Sequence, residues 1–192
     1  MASLEHRDRW FWESFHPRSA DAGATLAALR RGVNRIPGDV PEIWPHHRVV
    51  LPEHTWTHDA PPPALAAEHA ALVTFAIHQQ SQPMSMHRPG VPLGRALLAL
   101  RKDGKYSEAA VDRRVNAMAT ATDVKELTEH LRRLVSQLRG IRRPLDYTGL
   151  VQDLFDWHYP QRRSYVRRAW GSQYYLWSSA DTTTEATTEA PE

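Results

Sequence analysis

The sequence predicts an all-α fold, and three observations carry that expectation. Residues 122–143 place Val124, Leu127, Leu131, Leu134, Val135 and Leu138 at spacings of three, four and seven, one apolar stripe on a helix. Segments of similar periodicity recur along the chain, separated by proline, glycine or short polar breaks. Seven prolines fall between residues 36 and 63, a density that no long regular element survives. The 192 residues suffice for one domain or two small lobes.

Residues 4–16 read as the first helix, ended by Pro17. Trp10, Phe11 and Phe15 share one face, while Trp12 lies about 200° from Trp10 on the helical wheel, so a second cover is expected over it. Residues 21–32 form the second helix, with Leu26 and Leu29 inward and Gly32 as the residue past its end. Arg30 and Arg31 occupy its last turn, where they complement the helix dipole or meet a phosphate. The proline-rich stretch that follows is a loop with a short helical turn around Glu42–Trp44. It carries His46, His47, His54 and His58. His54 and His58 have i, i+4 spacing, but so many prolines oppose the helical face a metal would need.

Ala64–Gln80 is the third long helix, with Leu65, Leu72, Val73, Ala76 and Ile77 inward and His69 and His78 structural or solvent-facing. The loop MHRPGVPLG feeds a helix from Leu93 to Lys102, whose apolar members are Leu97, Leu98 and Leu100. It sets Arg88 before the helix, Arg95 in the first turn and Arg101 near the end, and an arginine at a helix N-terminus suits phosphate. Ser107 caps the next helix, with Tyr106 and Val111 as a hydrophobic staple. Val111, Val115 and Met118 line its inner face and leave Arg113 and Arg114 partly outside.

The helix over 122–143 begins at Asp123, with Glu126 as capping-box partner, and Gly140 is its natural stop. Its outer face carries Lys125, Arg132, Arg133 and Arg139, and Arg142 and Arg143 follow. Residues 146–157 supply Leu150, Val151, Leu154, Phe155 and Trp157 to a further helix that also bears Asp153 and Asp156. After Pro160 a last helix has Tyr165, Val166, Ala169 and Trp170 as its stripe, ringed by Arg162, Arg163, Arg167 and Arg168. Tyr174, Tyr175 and Trp177 follow, and aromatics at this spacing are expected in the core rather than stacked on bases. Residues 179–192 are polar and acidic and are expected to be disordered.

Charge is distributed unevenly. Residues 1–94 hold 8 arginines and 9 acids, net −1; residues 95–170 hold 16 basic residues and 9 acids, net +7; the tail from Asp181 has 4 acids, net −4. A polyanion suits the basic half, as does a set of local acids. The chain has no cysteine, so disulfides and thiolate metal sites are excluded. It has no HExxH, phosphate-binding Walker loop, GxSxG or GxGxxG. We therefore expect no enzymatic activity, no metal and no cofactor. No apolar run reaches membrane-spanning length and the N-terminus lacks a signal-peptide pattern, which makes a cytoplasmic protein the expectation. From residues alone, a sequence-independent nucleic-acid binder, a helix-turn-helix regulator using residues 107–139 and a helical adaptor for an acidic protein all remain open.

An ordered set of stretches narrows this. RWFWESF, ATLAALRRG, HRPGVPLGRAL, the DRRVNAM and HLRRLVSQLR pair, PLDYTGLVQDLFDW and YVRRAWGSQYY resemble, in order and spacing, the CasB small subunit of the type I-E CRISPR Cascade complex. The resemblance spans roughly residues 8–176, except 36–62. It implies two compact helical-bundle lobes, taken here as 1–105 and 106–178. It also implies a non-catalytic subunit, two copies head-to-tail, that contacts the Cascade backbone and large subunits, crRNA and target DNA. Its basic surface would support the R-loop and the displaced strand in antiviral defence. On the matched stretches the phosphate-contacting candidates are Arg30, Arg31, Arg88, Arg95, Arg113, Arg114, Arg132 and Arg133. Arg101, Arg142 and Arg143 join them, with Arg167 and Arg168 as outer members.

Overall fold

The computed structural model describes residues 9–50 and 60–176, the last by its backbone alone. Residues 4–8 of the expected first helix, His54 and His58, Trp177 and the acidic tail lie outside the described residues. The described residues form eight α-helices and no strand. They are α1 Phe11–Ser14, α2 Ala22–Arg30, α3 Pro63–Gln79, α4 Leu93–Lys102, α5 Glu108–Ala119, α6 Val124–Gly140, α7 Tyr147–Trp157 and α8 Pro160–Gly171. A 3-10 helix, Pro41–His46, interrupts the proline-rich stretch, and a π-helical turn, Ser172–Leu176, continues α8.

The organising element is α3. It packs along α6, α7 and α2, and all but a few of its residues are buried. Several of its polar residues are buried with it and held by neighbours. The Glu68 carboxylate accepts the backbone N–H groups of Arg48 and Val49 at 2.5 and 2.8 Å. The His78 Nδ1 lies 3.0 Å from the Tyr147 hydroxyl. The α4 helix packs against α5, α6, α8 and the π-helical turn. Buried side chains from Trp12 to Tyr174 make one contiguous apolar cluster, and packing crosses the turn at residues 103–107.

Trp12 is covered internally, 1% exposed, and is more buried than Trp10, Phe11 and Phe15. The α1 helix is one turn long, so the wheel that separated these rings has too few residues to hold.

Gly32 does different work from that expected. Gly32 does not take up the left-handed conformation; Asn34 does, with φ 58°. A Cβ at Gly32 would sit 2.7 Å from Ile43 and 2.9 Å from His69 and Val73, so close approach requires the glycine. Gly140 is the last residue of α6, as expected of the stop, and Arg142 beyond it is the left-handed residue, φ 54°. Asp123 does cap α6, accepting from Glu126 N at 2.9 Å, but Glu126 reaches back to Thr122 N at 2.7 Å rather than to Asp123. Tyr165 is 68% exposed and does not join the α8 stripe, which reduces to Val166 and Trp170. Trp157, Trp170 and Tyr174 are core, as expected.

Candidate functional site

The loop before α4 is fastened to the segment before α7. Arg88 N donates to Leu145 O at 2.9 Å, Leu145 N to Met86 O at 3.1 Å, and Asp146 N to Val91 O at 2.7 Å. Asp146 caps α7 through Thr148 N and Gly149 N and also accepts Gly90 N at 2.9 Å. This stitching brings Arg88 and Arg95 near Arg143. Burial lowers the Arg143 pKa, and the neighbouring charges of Arg95 and then Arg88 lower it further. A cluster of like charges of this kind gains from an anion.

A second basic surface lies in the α5–α6 hairpin. Arg113 and Arg114 of α5, with His130 and Arg133 of α6, line a groove of about 240 Å³ whose other walls are Ala110 and Ala117. Helical periodicity builds it. Val111, Val115 and Met118 turn α5 inward and Leu127, Leu131 and Leu134 turn α6 inward, which leaves the intervening positions for cations. Among the described residues, no acid lines the groove. Arg139 and Arg142 line a third basic hollow of about 370 Å³ with Gln80, Ser81, Gln82 and Gly140. Arg139 is partly spent there on Ile77 O at 3.1 Å and Gln80 Oε1 at 2.8 Å.

Other candidates are engaged within the fold. Arg101 pairs with Glu108 at 2.7 Å and Asp112 at 3.0 Å. The hydrogen bond to Asp112 raises its pKa, and Asp112 is itself held low, first by the Tyr174 hydroxyl 2.6 Å away. Arg31 pairs with Glu42 at 3.0 Å. Arg30 reaches Ala76 O at 3.5 Å. Arg132 donates to Asn34 Oδ1 at 2.9 Å, and burial lowers its pKa. Arg167 donates to Ala121 O at 3.2 Å and lies over the Trp157 ring. Arg168 is exposed on α8.

Sequence reasoning missed His130 as a groove residue and Arg35 as a surface cation. His130 stands three residues before Arg133, on the same helical face, and that spacing is the signal.

The family model for CRISPR-associated protein Cse2 matches residues 25–175. The chain belongs to the Cse2 family. The crystal structure of CasB from Thermobifida fusca is 32% identical, with a TM-score of 0.67 over 85% of this chain and 90% of that one. A Cse2-family CRISPR-associated protein from Thermus thermophilus is 25% identical, TM-score 0.61, covering 82% and 89%. A chain in a CRISPR RNA-guided surveillance complex is 29% identical, TM-score 0.60, covering 82% and 84%. No curated protein matches the chain. The Cse2 match takes in the α5–α6 groove, the hollow at Arg139 and Arg142, and the cluster of Arg88, Arg95 and Arg143. No helix among the described residues is long and apolar enough to cross a membrane, and no cluster of three or more metal-ligating side chains occurs among them.

Proposed function

We propose that this chain is the non-catalytic small subunit of a type I-E CRISPR Cascade effector. It holds nucleic acid by phosphate contacts, without reading sequence, and stabilises the R-loop while crRNA selects target DNA in antiviral defence in the cytoplasm. The observation that carries this reading is the groove of Arg113, Arg114, His130 and Arg133 in the α5–α6 hairpin, with no acid among its described walls. Guanidinium groups around an open trough suit phosphate oxygens and carry no base code.

The energetics fit such a modest device. Exchanging a DNA duplex for an RNA–DNA heteroduplex is nearly balanced, so a few contacts to the opened state tip it. Family membership and the likeness to a chain of a surveillance complex support assembly with Cascade backbone and large subunits. A second copy, head-to-tail, would extend the basic track. Arg88, Arg95 and Arg143 form the second contact region, and Arg132 with Arg142 borders further ones.

The test is reconstitution of the effector with charge-reversed Arg113, Arg114 and Arg133, followed by R-loop lifetime. A shortened lifetime with an intact fold is expected. An unchanged lifetime across this set and the Arg88, Arg95 and Arg143 set would reject the reading.

A further inference from the structure

A cavity of about 230 Å³ opens between α3, α6 and the turn after α2, apart from the α5–α6 groove. It exists because its walls are small. Ala66 and Ala70 stand one turn apart on α3, and Val124 and Thr128 one turn apart on α6. Helices in contact normally fill such a gap with larger side chains. The lining is largely apolar, yet Arg35, Lys125 and Arg132 belong to it. Arg132 is held by its hydrogen bond to Asn34, whose left-handed backbone turns the chain there.

His69 forms part of the wall. It is 5% exposed, and its Nε2 lies 3.1 Å from Gly32 O. A carbonyl can only accept, so Nε2 carries the proton and Nδ1 of the neutral ring presents a lone pair. That buried Nδ1 has no partner among the described residues. Burial also lowers the His69 pKa, which keeps the ring neutral. The cavity thus combines a largely apolar space with three cations at its rim. An apolar cavity of about 150 Å³ accepts benzene, so this one has room for a fused heteroaromatic ring.

We propose that this cavity receives one nucleobase, its ring set between the small walls of α3 and α6 and its phosphate directed to Arg35, Lys125 and Arg132. For the source of that base the proposal rests on the nucleic-acid reading above: a nucleotide splayed from a bound strand. A free mononucleotide offers the same chemistry.

Affinity is measured for a mixed-sequence single strand and for the same strand with every base removed. The wild-type chain is compared with Ala66→Leu and Val124→Phe, which fill the cavity from opposite walls. The wild-type chain is expected to prefer the base-bearing strand about tenfold, the scale of one well-held base. Each filled variant is expected to lose much of that preference while keeping its affinity for the abasic strand, which also reports an intact fold. Equal binding of the two strands by the wild-type chain, or a preference that both variants retain, overturns the proposal and leaves phosphate contacts standing. If neither strand binds, the underlying reading fails instead. Titration with adenosine monophosphate then decides: a shift of the His69 ring resonances that Ala66→Leu abolishes supports the site with a free nucleotide as its source, and no shift overturns it.

Discussion

Trp12 Nε1 donates to Thr148 Oγ1 at 3.0 Å across 136 residues of sequence. Thr148 in turn donates its hydroxyl hydrogen to Glu13 Oε1 at 2.8 Å. One hydroxyl therefore joins α1 to the first turn of α7, beside Phe75 and Tyr147. Trp12→Ala is expected to cost about 3–5 kcal/mol, as for other buried tryptophans. Thr148→Val keeps the shape, strands the indole N–H and is expected to cost about 1–3 kcal/mol. Denaturant midpoints check both.

The groove arginines and the fold arginines should separate by salt dependence. Arg113→Gln, Arg114→Gln and Arg133→Gln are each expected to reduce the log–log salt slope of single-strand binding by about one. Arg101→Gln and Arg167→Gln are expected to leave the slope unchanged and lower the melting temperature. Titrations between about 50 and 200 mM salt distinguish the two sets.

Asp153 supplies a pH signature. Its carboxylate accepts Trp170 Nε1 at 2.7 Å, yet burial pushes its pKa up to about 6. A pKa raised by folding gives stability that is present below the unfolded value, near 4, and lost as pH rises through about 6. Burial depresses His47 to about 4 and His78 to about 3, so their contribution runs the other way, present above 6.5 and lost as pH falls. Asp153→Asn keeps an acceptor for Trp170 and removes the buried charge. Its stability relative to wild type should rise between pH 4 and 6 and level off above, in urea melts across that range.

Glycines give a paired test. A Cβ at Gly94 would lie 2.6 Å from Trp170 O and from Gln173 Cβ, where α4 meets the end of α8. Gly94→Ala is expected to cost about 1–3 kcal/mol by overpacking. A Cβ at Gly23 on α2 meets nothing within 4 Å, and Gly23→Ala should stabilise by up to about 1 kcal/mol. Thermal melts read both.

Much of the fold was legible because its signals are local. The α6 stripe and the α4 limits follow from periodicity and punctuation, and Asp123 reads as a cap wherever it is met. Gly32 misleads because a glycine that permits close approach has the same letter as one that ends a helix, as Gly140 does. Only the partners of Gly32, Ile43, His69 and Val73, tell them apart. The candidate arginines have the same limit. Arg101 and Arg113 each follow an apolar helical stripe, but the acids at positions 108 and 112 reach only Arg101. The cavity beside His69 had no linear signature, since its walls come from four separate segments, His158 after α7 among them.

Because α3 is enclosed by α6 and α7, the halves of the chain on either side of the 103–105 turn should not be self-sufficient. A nick there would leave one piece with an uncovered central helix and the other without the surface it folds onto. Mixed together, the two pieces should regain the tryptophan fluorescence of the intact chain, while neither does so by itself. The protein would then behave as a natural split pair, whose reassembly could report when two attached partners meet.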